Sequence, residues 1–127
     1  MLTAETMDRL HDADIIAIRF ESGVFAVSGK DDVGKSWEIT VAGVRYMVCG
    51  PFLPGNIIGT IIVHRFQPGI RNVLRVSNNT SDMFFDTYGV SDSNLRFSEF
   101  NFLEISSSYG VEILCLFNGD INCKSPL

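Results

Sequence analysis

Between Ile15 and Lys124 the chain breaks into short apolar runs, most with a large side chain at every second residue, separated by clusters of Gly, Asn, Asp, Ser or Pro. Period-two spacing sends successive side chains to opposite faces of an extended backbone, so each such run reads as a strand with one buried face. In ADIIAIRF, Ile16, Ile18 and Phe20 alternate with Ala17 and Arg19; Glu21-Ser22-Gly23 then turns the chain into GVFAVSG. SWEITVAG puts Trp37, Ile39 and Val41 on one face, and VRYMVCG repeats the pattern with Val44, Tyr46 and Val48.

After the double turn signal GPFLPG, the run NIIGTIIVHRF is apolar without alternation, which predicts a central strand covered on both faces. Gly59 inside it marks a bulge or a close backbone approach. LRFSEFNFLEIS changes parity between Leu95/Phe97 and Phe100/Phe102, which predicts a β-bulge near Ser98-Glu99. SSSYG then turns into VEILCLF, and Asn118-Gly119 predicts a hairpin into DINCKS. Between these parts, GIRNVLRVS and DMFFDTYGV read as strands joined by a loop at SNNTSD. One short helix is expected, within the first dozen residues, with Thr3 as its cap and Leu2, Met7 and Leu10 near one face. The fold class is therefore mainly β: an antiparallel β-sandwich or open barrel of about eight to ten strands with a short N-terminal helix. A length of 127 residues suits one domain with one core, residues 1–127, and 46% hydrophobic with 20% charged residues is a globular composition.

GKDDVGKS, residues 29–36, fits the phosphate-loop pattern G-x-x-x-x-G-K-[ST] and follows a strand. A phosphate loop needs a helix to begin at its end, because helix N-terminal amides and dipole hold the anion. Residues 36–42 alternate like a strand, and Asp31-Asp32 would put two carboxylates where the anion must approach. Gly and Asp are equally suited to a hairpin loop, and a hairpin is the expectation.

The opening residues are charged where a secretory signal would be apolar, and no run approaches the roughly 18 apolar residues of a membrane span. A cytoplasmic protein with no membrane partner is expected. Cys49, Cys115 and Cys123 read as free buried thiols; a tight hairpin would bring Cys115 and Cys123 face to face, but no CxxC or HxxxH spacing makes a metal site. No metal and no cofactor are expected. His11 with Asp12 and Asp14, and His64, are the candidates for acid-base chemistry. An H-D-x-D run at a helix-to-strand junction converges poorly on one ion, and two histidines define no triad, so the chain is read as non-enzymatic.

Charge is unevenly distributed. Residues 1–81 carry eight acids and eight bases, whereas 82–127 carry seven acids against Arg96 and Lys124, which accounts for the whole net charge of −5. Such a field repels nucleic acid and favours a basic partner; a merely solubilising surface is the plainer alternative.

LHDADIIAIRF, the W-x-I-T-V-x-G-V strand pair, NIIGTIIV and FLEISSSYGVEILCLFNGDINCKS, in this order, resemble small bacterial immunity proteins of polymorphic toxin systems, specifically the immunity family numbered fifty. In that family an L-H-D-A-[DE]-[IL] opening leads into a β meander, and an S-Y-G-x-E hairpin lies near the C-terminus. The likeness covers residues 10–64 and 102–125 and stops across 67–94. It implies a non-enzymatic protein that binds and neutralises a cognate toxin domain. The unmatched stretch is where a toxin-specific surface is expected, with exposed aromatics beside acids as anchors: Asp82, Phe84, Phe85, Asp86, Tyr88 and Asp92. The alternatives are that these aromatic residues are core, that the many Phe side chains line the cavity of a small-molecule-binding β-barrel, or that the chain is a structural subunit pairing through exposed edge strands.

Overall fold

The computed structural model describes residues 2–51, Leu53 and 55–124. Helix α1 (Ala4–Arg9) is capped by Thr3, which is extended and whose hydroxyl accepts the N–H of Thr6 while its carbonyl accepts that of Met7. Leu10 is buried behind it, and Leu2 and Met7 pack on the same core, as the sequence spacing predicts. The described residues then form β1 (Asp14–Ile15), β2 (Ala17–Glu21), β3 (Val24–Lys30), β4 (Ser36–Val41), β5 (Val44–Cys49), β6 (Asn56–Arg65), α2 (Asn78–Tyr88), β7 (Asn101–Tyr109), β8 (Ile113–Phe117) and β9 (Ile121–Lys124). All pairing is antiparallel, in a five-stranded sheet β1-β6-β7-β8-β5 and a four-stranded sheet β2-β3-β4-β9. The fold is mainly β, as the alternation requires.

The sheets meet face to face. Phe25, Val27, Trp37, Ile39 and Val41 of the smaller sheet pack on Ile58, Leu103, Ile105, Ile113 and Phe117 of the larger one. The opposite face of the larger sheet is also covered, by α2 and two 3₁₀ turns, Ile70–Asn72 and Leu95–Phe97. Leu114 and Leu116 of β8 point into this second core while Ile113, Cys115 and Phe117 point into the first, so all five residues of the strand are buried. A strand buried on both faces reads as a continuous apolar run.

Two corners join the sheets. At the first, β4 and β5 form one bent strand that runs antiparallel to β8 and β9 with Ala42-Gly43 lying against residues 118–120; Ala42 N–H donates to Asp120 O (2.9 Å), Gly119 N–H to Ala42 O (3.1 Å) and Asn118 N–H to Gly43 O (3.1 Å). Asn118-Gly119 is thus not the hairpin expected: β9 pairs with β4, not with β8. A Cβ at Gly43, where φ is +68°, would lie 2.6 Å from Gly119 N, so the corner excludes a side chain there. At the second corner, one stretch of chain pairs with β6 through Asp14 and Ile15 and then with β3 through β2.

The loop of GKDDVGKS is a hairpin, as expected. Asp31 Oδ1 accepts the N–H groups of Val33 (3.0 Å) and Lys35 (2.8 Å), Gly34 sits at φ +85°, and Ser36 begins a strand. The β6–β7 register shifts on both sides of Ile58, so Gly59 does mark a bulge. Four further expectations are corrected. The β5–β8 register shifts between Val44 and Tyr46, so Val44 packs on the core between the sheets while Tyr46 and Val48 face the second core, and the three do not share one face. Residues 78–88 are a helix: Ser77 caps it and Gly89 ends it in the left-handed conformation (φ +61°), while Ser81, Phe84, Phe85 and Tyr88 follow helical spacing. GIRNVLRVS holds a 3₁₀ turn and no strand. The parity slip at Ser98-Glu99 is not a bulge, because a 3₁₀ turn precedes it and β7 begins only at Asn101.

Candidate functional site

Helix α2 is fixed at both ends. Glu112, half-buried at the entrance to β8, accepts the N–H of Ser77 (3.0 Å) and the hydroxyls of Ser77 (2.8 Å) and Thr80 (2.8 Å). A carboxylate at a helix N-terminus meets unsatisfied N–H groups and the positive end of the dipole. At the other end Tyr88 donates its hydroxyl proton to Met47 O (2.6 Å) and stacks on Tyr46 with ring centroids 4.3 Å apart. Between these anchors Phe84 and Phe85 press on Phe102, at centroid distances of 4.9 and 6.1 Å.

This geometry separates the expected site residues into two groups. Phe84 and Phe85 are buried and Tyr88 is half-buried, so the first two are core and not exposed anchors; on a helix two adjacent aromatics share one apolar stripe. Asp82 and Asp86 are exposed on the outward side, with Met83 exposed between them. Arg71 organises the first of these acids: its guanidinium bonds Asp82 Oδ1 (2.5 Å) and lies 4.9 Å from the Phe85 ring centre. The Arg71 N–H also reaches half-buried Asp92 (3.4 Å). Asp86 has no ion pair among the described residues. Sequence reading missed Met83, Val73 and Leu95, all exposed apolar residues on or near this layer. Helical spacing through Ser81–Tyr88 was the signal that could have located Met83.

The C-terminal acidic excess does not gather into one patch. Glu104 is fully buried, Glu112 caps α2, Asp82 and Glu99 are paired with Arg71 and Arg65, and Asp86 and Asp120 stay exposed.

Other groups with chemical potential are held in structural contacts. His11 Nδ1 lies 3.3 Å from Asp12 in solvent, and His64 Nε2 lies 3.1 Å from Glu104 Oε1. No cluster of three or more metal-ligating side chains occurs among the described residues. All three cysteines are free. Burial pushes the Cys49 thiol up to about 11, and burial with the neighbouring Cys49 pushes Cys115 up to about 12, which keeps both protonated and weakly nucleophilic. Among the described residues no helix is long and apolar enough to cross a membrane.

No family model, no curated protein and no solved structure matches the chain. The motif positions themselves have structural explanations. Leu10, Ala13 and Ile15 are buried, Asp12 donates its N–H to Ile58 O at a positive φ of 68°, and Asp14 Oδ1 accepts the Lys30 N–H (2.8 Å). In S-Y-G-x-E, Gly110 (φ +98°) leaves room for buried Asn56, whose Oδ1 accepts the Val111 N–H (3.0 Å), and Glu112 caps α2.

Proposed function

We propose that this chain is a non-enzymatic immunity protein that binds and neutralises a cognate toxin domain, using the outward face of α2 against a basic surface of that partner. Asp86 carries the argument. It stands in the last turn of α2, where the helix dipole disfavours an acid, four residues after another acid, and without an ion pair among the described residues. Both placements work against helix stability, and proteins retain such local costs at surfaces that serve function. Met83 adds an apolar contact beside the two carboxylates, and the buried Phe84 and Phe85 hold the helix rigid under them. The motif residues, being occupied by the fold, leave specificity to a surface outside them.

The test is capture of the toxin domain encoded beside this chain's gene, at low and high salt, with the wild type and Asp86→Lys. Expected are binding that weakens as salt rises and about a tenfold or greater loss on charge reversal. Capture indifferent to both would overturn the role of this face.

A second reading, small-molecule binding, draws on one observation. A groove of about 530 Å³ runs between α1 and β6, with Asp8, His11, Thr60 and Arg75 around Met7, Ile61 and Ile62. It lies outside the space between the sheets, where packed side chains fill the position the barrel reading gives to a Phe-lined cavity.

A further inference from the structure

The four-stranded sheet ends in β2, which hydrogen-bonds to β3 on one side and, among the described residues, has no strand on its other side. An open edge of this kind is a template for another strand unless charge, proline or a covering element blunts it. On β2 the residues that face the same way as the core do not finish inside it: Phe20 is 54% exposed, and Ile16 just before the strand is 56% exposed. Ile18 between them is half-buried. Beside Phe20 a groove of about 210 Å³ opens, walled by Val44, Tyr46, Met47 and Tyr88.

Arg19 and Glu21, flanking Phe20, point to the outer face of the sheet, where Arg19 meets Glu38 at 3.0 Å. Glu21 has no ion pair among the described residues.

We propose that two copies of this chain associate through their β2 edges, antiparallel about a two-fold axis at Phe20. In that register each Phe20 faces its counterpart on one face of the joined sheet. On the other face Arg19 of each copy lies opposite Glu21 of the other, giving two equivalent charge pairs from one self-complementary sequence. Directly opposed residues of antiparallel strands are close enough for these pairs to form. The result is one eight-stranded sheet made from two four-stranded ones, with Phe20 and the groove beside it withdrawn from water. The other open edges of comparable length, β5 and β9, lack this property, since Val44–Cys49 contains Arg45 and Ile121–Lys124 contains Lys124, with no acid in either strand to meet it. A second copy is therefore the occupant that the charge pattern of β2 selects. The ladder is short, so the association is a weak, concentration-dependent one.

Sedimentation over a concentration series tests this, with folding of each variant checked by circular dichroism. Wild type is expected to dimerise with rising concentration. Phe20→Asp is expected to remain monomeric. Glu21→Arg, which sets arginine against arginine twice, is expected to weaken the dimer about tenfold or more, and Arg19→Glu/Glu21→Arg to restore it. A wild type that stays monomeric at every concentration overturns the proposal. A dimer unaffected by Phe20→Asp and Glu21→Arg, or a double variant that fails to recover, overturns the register and with it the choice of β2.

Discussion

Glu104, a carboxylate with no exposed surface, stands 3.1 Å from the imidazole Nε2 of His64 across the β6–β7 pair, and its second oxygen accepts the backbone N–H of Arg75 at 2.9 Å. Removing this acid leaves the buried Val76 N–H, the Arg75 N–H and the half-buried His64 ring without their acceptor at once. Glu104→Ala is expected to destabilise by about 3–5 kcal/mol, the range for breaking a buried pair. Glu104→Gln keeps the shape and part of the hydrogen bonding, so it should cost about 1–3 kcal/mol. Urea midpoints of the two variants check the order; equal shifts would mean that the charge and its bonds contribute nothing beyond volume.

Asp86 offers the opposite sign. Asp86→Lys removes a like-charge spacing with Asp82 and gives the last turn of α2 a favourable dipole interaction. Stability is expected to rise by about 0.3–1 kcal/mol while toxin capture falls. A loss of stability would show that Asp86 makes a contact in the free protein that its exposure conceals.

The loop at residues 31–35 should behave as a hairpin and ignore nucleotides. Gly34→Ala, at φ +85°, is expected to cost about 1 kcal/mol, and Lys35→Ala should stay within about 0.5 kcal/mol. Added Mg-ATP or Mg-GTP should leave the melting temperature of the wild type unchanged. A ligand-dependent rise lost in Lys35→Ala would revive the phosphate-loop reading.

Alkaline pH should unfold the protein partly through its thiols. The folded-state values of Cys49 and Cys115, about 11 and about 12, lie above an ordinary value of 9.0, so the folded form holds these protons more tightly. Their stabilising effect is complete below pH 9 and is lost as pH climbs from there towards 11 and 12, by up to about 1.4 kcal/mol per unit for each thiol. Denaturation at a series of alkaline pH values should show this slope in the wild type and a shallower one in Cys115→Ala. Identical slopes would exclude the thiols as its source.

Much of the fold was legible because alternation reports directly on a half-buried strand: β3 and β4 follow from spacing with their buried faces, whereas Ile16 and Phe20 beside β3 stay exposed and the register shift at Arg45 sends Val44 to one core and Tyr46 and Val48 to the other. Residues 78–88 were misread because Asp82-Met83-Phe84-Phe85 contains a short apolar pair that suits either a strand or a helix, and only Ser77 and Gly89 at the right distances decide for the helix. Asn118-Gly119 carries a hairpin signal that the fold does not use, since turn chemistry is local while the pairing of residues 118–120 with Ala42-Gly43 and of β9 with β4 reaches across more than half the chain. The site was legible in part. Asp82 and Asp86 lie on an exposed helix face, but burial of Phe84 and Phe85 and the internal engagement of Glu104 and Glu112 depend on tertiary contacts that a charge count does not contain.

The bent strands at residues 42–43 and 118–120 tie the fate of the two sheets together. A sandwich of separate sheets can breathe by parting like the halves of a shell. Here the strands that leave one layer are those that enter the other, so neither layer can unzip without pulling its neighbour apart, and opening is an event of the whole molecule.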